Sequence, residues 1–574
     1  MRDLSRQAVI ERLRRDPAPE VLVVGAGING AAVFRELALN GVRAVLVDRG
    51  DIAEGASSAL SRMVHGGLRY LETAELALVR EGATERNRLL RNAPHLVGPL
   101  RTMVPLYDLW GGTFAAIAKL FRRPTTSGRR GAMLIRIGLM LYDWLGSRER
   151  TMPHHRMLSR DAALTAMPGL TRSIASAAEY WDGWVSHPER INLELVLDAL
   201  AAAPQADALT YAAAEGLGPE GVRIRDTLTG ETLTLAPRIV VNAAGAWIDR
   251  VNAPLGINTR MIGGTKGSHL VIDHDGLRAA LGDAMLYFEA PDGRTCIVFP
   301  FLGNVLLGTT DIRVEDADGV RCEESEIDYL FAVLKEVLPD VAIGREHIRY
   351  RYSGVRPLPY VDAATPSLIP RTHSLVPSEP TPERPFPVLS MVSGKWTTFR
   401  AFGEQAADEV LHRLGKPRSV GTQSRPIGGG AGFPADRAGW IRDLARETGL
   451  PDTRIADLLA RYGTRARDAA RAIAAGPDAP LEGLPRHSSG EIAWIAREEM
   501  VAHLADVVLR RTLVALRGEA SEEAVRAIAA VLADTLGWSA ARTAEDVDAT
   551  LALLRDRHGA GYPLKATRPV SATS

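Results

Sequence analysis

The apolar positions near the start of the chain come in runs rather than in alternation. Residues 21–24, Val-Leu-Val-Val, present the unbroken apolar stretch of a strand buried on both faces. Residues 31–40 then carry Val33, Phe34, Leu37 and Ala38 at helical spacing, and Gly41 stops that helix. Residues 42–47 predict a second strand, ending on Asp48. Further on, 192–203 reads as a helix, and Ile239-Val240-Val241 as a strand running into Asn242-Ala-Ala-Gly245. Between about 255 and 350 the period moves towards two. There 269–272, 296–300 and 305–308 are predicted strands, with Gly303-Asn304 as the turn between the last two. Residues 325–338 predict a helix with Ser325 as its cap. Five prolines over 376–387 predict an extended loop. Residues 388–392 are a buried strand, which Ser393-Gly394 turns into a helix starting near 395–398. The Gly/Pro stretch 424–434 is the best domain boundary. Beyond it the pattern is helical, and Ser488-Ser-Gly-Glu491 predicts a capping box opening a helix that runs to about Leu516 and is closed by Gly518.

What joins the first strand to the first helix is Gly25-Ala-Gly27-Ile-Asn-Gly30. Gly25 permits a sharp turn, Gly27 lets a pyrophosphate approach the backbone, and Gly30 lets the helix pack on the sheet. The helix N-terminus offers free N–H groups and partial positive charge to phosphates. Asp48 stands about 20 residues on, where an acid holds ribose hydroxyls. The motif alone does not separate NAD from FAD. Its place near the N-terminus of a long chain, with no second fingerprint, leans to FAD.

Composition narrows the picture. The chain has 574 residues, 46% hydrophobic and 24% charged, enough for two or three domains. Its 69 basic and 69 acidic residues cancel, which argues against a nucleic-acid partner. The two cysteines, Cys296 and Cys322, read as reduced thiols, and no metal-ligand spacing occurs. Residues 1–19 are charged, suit a short amphipathic helix and lack the apolar core of a signal peptide. No uncharged apolar run reaches about 18 residues, so no spanning helix is expected. Residues 134–145 are apolar but broken by Arg136 and Asp143, which predicts a packed helix. Residues 110–130 carry Trp110, Phe114, Ile117, Leu120 and Phe121, then Arg122, Arg123, Arg129 and Arg130, a pattern that suits a membrane surface as well as a solvated loop.

The remaining chemistry lies after Asp48. Gly55, Ala56, Ser57 and Ser58 are small enough for backbone to lie against a ligand, and His65-Gly66-Gly67-Leu68-Arg69-Tyr70 sets a His, an Arg and a Tyr around a diglycine. The run SSALSRMVHGGLRYLE resembles the signature of the respiratory FAD-dependent glycerol-3-phosphate dehydrogenases. Further pieces agree, in the family's order: Ile135-Arg-Ile-Gly-Leu139 with Leu141-Tyr142-Asp143, Val241-Asn-Ala-Ala-Gly-Ala-Trp247, Lys266-Gly-Ser-His269, Gly308-Thr-Thr-Asp311, Tyr352-Ser-Gly-Val-Arg-Pro-Leu358, Ser393-Gly-Lys-Trp-Thr-Thr-Phe-Arg400 and the helical region around 499–512. The chain departs from the family at Ala244 and Ala246, at Ser393, Trp396 and Phe399, and at Asp48, where many members carry Glu.

The resemblance implies an α/β fold. A Rossmann-like FAD-binding domain of the glutathione-reductase and D-amino-acid-oxidase type is assembled from about 20–100, 190–250 and 350–415. An antiparallel-sheet substrate domain comes from about 101–189 and 251–349. Together these make an oxidoreductase region over 1–424, and an all-α domain follows over 425–574. FAD is expected without a covalent link, on Gly25, Gly27, Gly30, Asp48, Ser57, Ser58, Ala244, Gly245, Gly394, Thr397 and Thr398. The implied reaction is oxidation of sn-glycerol 3-phosphate to dihydroxyacetone phosphate by hydride transfer from C2 to FAD, with electrons passed to a membrane quinone. Arg69, Tyr70, His65, Arg356 and Lys395 are expected to bind the substrate, Arg69 and Tyr70 mainly its phosphate, and Arg356 and Lys395 the C2 oxyanion and the reduced flavin. His269 is the first choice for the base and His65 the reserve. The expected setting is a homodimer, cytoplasmic and peripheral on the inner face of the cell membrane. The alternatives are a glycerol-3-phosphate oxidase using O2 and an amine or amino-acid oxidase of the same fold, which would lack a phosphate clamp.

Overall fold

The computed structural model describes residues 5–71, 75–108, 131–146, 151–218, 220–361 and 371–560. The segment 110–130 assigned to a membrane surface lies outside them. The glycine turn sits at the centre of a six-stranded sheet in the order Ser374–Ser378, Val388–Val392, Ile239–Asn242, Val21–Val24, Ala44–Val47, Asp207–Leu209. All neighbours are parallel except the Ser374–Ser378 edge. The four central strands are buried at every position, as a sheet covered on both faces requires. Their side chains divide by parity. Val21 and Val23 pack with helices Ile28–Leu39, Pro188–Ala202 and Phe399–Leu414, while Leu22 and Val24 pack with helix Arg6–Arg15 and a small three-stranded sheet.

Three local expectations shift. The first helix begins at Ile28, directly on the glycine turn, and the one expected from 192 begins at Pro188, a proline at its first position. The proline-rich stretch is not all loop. Ser374–Ser378 pairs with Val388–Val392, and Pro377 is tolerated because this is the sheet edge.

The second sheet has ten strands, antiparallel except where Met285–Glu289 runs parallel to Val97–Leu106. Thr265–Ile272 lies in its middle, between Asn304–Gly308 and Ile348–Arg356. One face packs on helix Glu324–Val337, the other on the C-terminal helices. Helix Glu324–Val337 is capped by Glu323, whose side chain forms a capping box with Glu326; Ser325 is already inside the helix. The hairpin turn is made by Leu302 and Gly303, at φ +51° and +88°, one residue earlier than the sequence predicts.

Helix Ala132–Leu145 is packed on one side only. Ala132, Ile135, Leu139 and Tyr142 are buried, whereas Met133, Ile137, Met140 and Trp144 are 43%, 53%, 56% and 70% exposed. The helix is packed, as the sequence predicts, but through one face only: Ala132, Ile135, Leu139 and Tyr142, at helical spacing, join a core cluster and the opposite face stays apolar and exposed.

After 424 the described residues are helical apart from the short hairpin Pro480–Leu481 and Leu484–Ser488. The Gly/Pro stretch is tightly packed. A Cβ at Gly429 would stand 1.8 Å from the Tyr462 carbonyl, and one at Gly430 2.1 Å from that of Asn92. The long helix expected from 488 to 516 is broken. It runs over Ser489–Glu498, the chain turns through Met500 at φ +54°, and it resumes as Leu504–Asp506 and a π turn, Val507–Arg511. Glu491 caps nothing. Its carboxylate takes the Arg454 and Arg461 guanidiniums and the Tyr462 hydroxyl.

Candidate functional site

A cavity of about 1190 Å³ opens where the two sheets and the C-terminal helices meet. Its floor is the glycine turn. Gly25 has φ +109°, and a Cβ at Gly30 would stand 1.7 Å from the Gly25 carbonyl. At Gly27 a Cβ would meet only the Ser57 hydroxyl, at 3.2 Å, so this backbone is open to the cavity. Ser57 accepts the Ile28 N–H at 2.9 Å at the head of the helix. The Asp48 carboxylate accepts the Ala26 and Gly50 N–H groups at 2.6 and 2.9 Å and lines the cavity, and burial pushes it up to about 6. Ser58, Ala244, Gly245, Gly394 and Thr397 also line it. Gly30 and Thr398 do not; the Thr398 hydroxyl donates to the Lys395 carbonyl behind the wall. A stripped backbone at a helix head with an acid at the end of the second strand fits the pyrophosphate and ribose of a dinucleotide.

The opposite wall comes from the second sheet. On strand Thr265–Ile272, His269 faces Gly308 on one side and Tyr352 on the other, and Thr265 faces Arg356. A Cβ at Gly308 would stand 2.2 Å from the His269 ring, and one at Gly267 2.1 Å from the Arg356 guanidinium. These two glycines make room for the two side chains. The His269 ring stacks on Tyr352 at 4.9 Å, and Nε2 lies 2.8 Å from the Ser61 hydroxyl. Burial first, then the charges of Arg356 and Arg62, pull His269 down to about 3, so it is neutral. Arg356 bonds the Asp311 carboxylate at 3.1 Å and the Thr309 hydroxyl at 2.9 Å.

The third side is the turn after strand Val388–Val392. Ser393 and Gly394 have φ +65° and +111°, which throws Lys395 into the cavity. Its ammonium donates to the His65 carbonyl and lies 5.4 Å from the centre of the Tyr70 ring. Burial pulls Lys395 down to about 7. His65 and Tyr70 line the cavity; Arg69 lies in the 3-10 turn Leu68–Leu71, and its side chain is outside the described residues.

Two features escaped the sequence reading. Arg371 lines the cavity; among the described residues its Nε lacks a hydrogen-bond partner and an Asp311 carboxylate oxygen lies 3.8 Å from its guanidinium. No local pattern marks it. The Gly66 N–H is held by the Tyr142 hydroxyl at 2.9 Å and Asp182 at 3.1 Å, and Arg86 bonds both. Tyr142 and the HGG motif were visible separately; their meeting is tertiary.

Comparison with known proteins agrees with this geometry. A family model described as FAD dependent oxidoreductase matches residues 20–377, and one described as the C-terminal domain of alpha-glycerophosphate oxidase matches 420–543. A glycerol-3-phosphate dehydrogenase of Synechocystis sp. is 34% identical, over 92% of this chain and 94% of its own. A D-erythritol 1-phosphate dehydrogenase of Brucella abortus is 33% identical, over 86% and 94%. The structure of a Bacillus halodurans glycerol-3-phosphate dehydrogenase complexed with FAD is similar with a TM-score of 0.75 at 21% identity, covering 98% of this chain and 99% of that one. The chain belongs to the FAD-dependent glycerol-3-phosphate dehydrogenase family, and FAD is its cofactor.

Proposed function

We propose that the protein oxidises sn-glycerol 3-phosphate at C2 to dihydroxyacetone phosphate and passes the electrons to a membrane quinone. The observation that carries this reading is the meeting of Lys395, Arg356 and Arg371 on one cavity with the neutral His269. A phosphate and a developing alkoxide are two anionic centres, and this wall offers cationic donors to both. Bound FAD supplies the hydride acceptor. In this reading Arg356, assigned from the motifs to the oxyanion, instead joins Arg371 beside Asp311 in taking the phosphate, with Tyr70 and, by its motif, Arg69; Lys395 keeps the oxyanion. His269 takes the hydroxyl proton. A phosphate dianion beside Arg356 offsets the charge that now suppresses its basicity, so the base strengthens as substrate binds.

The exposed stripe on helix Ala132–Leu145 supports a peripheral membrane contact, with 110–130 as its basic companion. No helix among the described residues is long and apolar enough to cross a membrane. The match to an alpha-glycerophosphate oxidase domain supports the second reading, in which O2 is the acceptor.

The test is an anaerobic mix of the yellow protein with glycerol 3-phosphate. Bleaching of the flavin band with glycerol 3-phosphate, and not with glycerol, is expected. Equal bleaching by glycerol would remove the phosphate clamp, and faster bleaching by D-erythritol 1-phosphate would move the substrate to the longer alditol phosphate. Peroxide at one equivalent per turnover in air, with no reduction of a soluble quinone, would favour the O2 reading.

A further inference from the structure

The C-terminal domain has no part in the reaction just described, yet it sends two consecutive arginines some 460 residues back along the chain. On an α-helix neighbouring side chains diverge by about 100°, so two of them do not serve one carboxylate. Here the π turn Val507–Arg511 ends the helix and Thr512 leaves it extended. Both guanidiniums thereby converge on Asp51, which is fully buried. Arg511 grips it with both nitrogens at 2.7 and 2.8 Å, and Arg510 adds its Nε at 2.5 Å. The arginines are fixed from behind: Arg511 Nε donates to the Glu499 carbonyl at 2.9 Å and Arg510 to Asp506 at 2.7 Å.

Asp51 is the base of the stretch that lies over the glycine turn. Ala53, at φ +63°, donates its N–H to the Ala26 carbonyl at 3.1 Å. A Cβ at Gly55 would meet the Trp247 ring at 3.2 Å. Ser57 closes the strap on the Ile28 N–H. Residues 51–58 therefore make a strap across the dinucleotide cradle, with a strained residue in it and its anchor in another domain.

We infer that Arg510 and Arg511 are positioning residues for FAD: through Asp51 the C-terminal domain presses the strap 51–58 onto the glycine turn, and this attachment sets how tightly the cofactor is kept. The inference rests on FAD as cofactor but not on the choice of substrate or acceptor. Coupling of this kind is reciprocal, so FAD must in turn tighten the arginine turn.

The experiment is titration of deflavinated full-length protein with FAD, followed by flavin fluorescence, for wild type, Arg511→Gln and Arg511→Lys. Arg511→Gln is expected to raise the FAD Kd at least tenfold; Arg511→Lys, which keeps the charge but not the fork, falls between. At saturating FAD the glutamine variant should recover wild-type kcat and KM within twofold. A Kd within twofold of wild type overturns the inference. So does a loss that saturating FAD does not restore, which makes the contact merely structural. Hydrogen exchange on unmutated protein decides the matter if the variants do not fold. Amides of 507–512 should exchange more slowly with FAD than without, and equal exchange overturns the inference. Failure of glycerol 3-phosphate as substrate would leave the titration and the exchange untouched.

Discussion

The cations at the C-terminal contact and those around the cavity follow opposite rules. Arg190 and Glu499 are both fully enclosed and paired through both nitrogens of the guanidinium. Glu491 gathers Arg454 and Arg461, and Asp51, held down to about 2 by its two arginines, gathers Arg510 and Arg511. At the cavity, Arg356 and Arg371 both approach the Asp311 carboxylate, at 3.1 and 3.8 Å, and Lys395 has a carbonyl and a ring but no carboxylate within ion-pair distance among the described residues. A cation gripped by an enclosed carboxylate at hydrogen-bond distance, as Arg190, Arg454 and Arg461 are, is scaffold. Cations held more loosely, as Lys395 is by a carbonyl and a ring and Arg371 by a carboxylate 3.8 Å away, leave positive potential for an incoming anion. The difference separates structural from functional arginines in a chain that carries many, where residue type alone does not.

The comparison is open to attack from both ends. Glu499→Gln should do the most damage, because it strands the Arg190 charge in the interior. A loss of about 3–5 kcal/mol is expected, read as a lower urea midpoint; a shift below about 1 kcal/mol would mean that the pair is not scaffold at all.

Arg356→Lys and Lys395→Ala should behave in the reverse manner. Each should slow flavin reduction by glycerol 3-phosphate about 100-fold, or about 2.7 kcal/mol, while retaining FAD and a midpoint within about 1 kcal/mol of wild type. Stopped-flow traces at wild-type rate for both variants would return these cations to the scaffold class.

A smaller effect sharpens the electrostatic half. Lys395 is cationic below about 7 and loses its charge as pH rises through that value. Sulfate, whose own charge is constant over this range, should bind the oxidised enzyme about tenfold more weakly at pH 9 than at pH 6, the size of a moderate surface-to-buried charge interaction. Lys395→Ala separates this from Glu81, pushed up to about 7 by burial and Glu85, which ionises over the same interval. A wild-type curve as flat as that of the variant would break the assignment.

The smallest effect concerns apolar groups left without a partner. Ile137→Ser should weaken binding to anionic vesicles about fivefold, about 1 kcal/mol for one side chain partly withdrawn from water, with flavin reduction unchanged. Vesicle co-sedimentation unaffected by this change and by 0.5 M salt would show that helix Ala132–Leu145 meets something other than lipid.

The parts legible in the sequence are those written in local pattern. The strand at 21–24, the glycine turn, Asp48, the strand at 388–392 and the turn into Lys395 each announce themselves within a few residues. The capping box at 488–491 misled because its Glu is drawn away by Arg454 and Arg461, partners that lie 37 and 30 residues off. Ser374–Ser378 was hidden because Pro377 argues against a strand unless the strand is known to be an edge. Arg371 and the Tyr142–Asp182–Arg86 group could not be read at all, since each becomes special only through what the fold sets beside it. The Gly267 and Gly308 gaps belong to the same class: their purpose is a neighbouring strand's side chain.

The order of the first sheet carries a consequence for how the protein is made. The strand bearing the glycine turn, Val21–Val24, has Ile239–Asn242 as its neighbour, and Val388–Val392 lies beyond that. Some 370 residues separate the first of these from the last. At ordinary ribosomal speeds of about 5–20 residues per second, roughly 20–75 s pass between their syntheses. Throughout that interval the apolar strands 21–24 and 44–47 exist without one flank of their sheet. The flavin does not template the first strands; it meets a sheet whose last central strand, Val388–Val392, is made only after about two-thirds of the 574-residue chain. Cells that overproduce this protein will therefore gain more from chaperone supply than from riboflavin added to the medium.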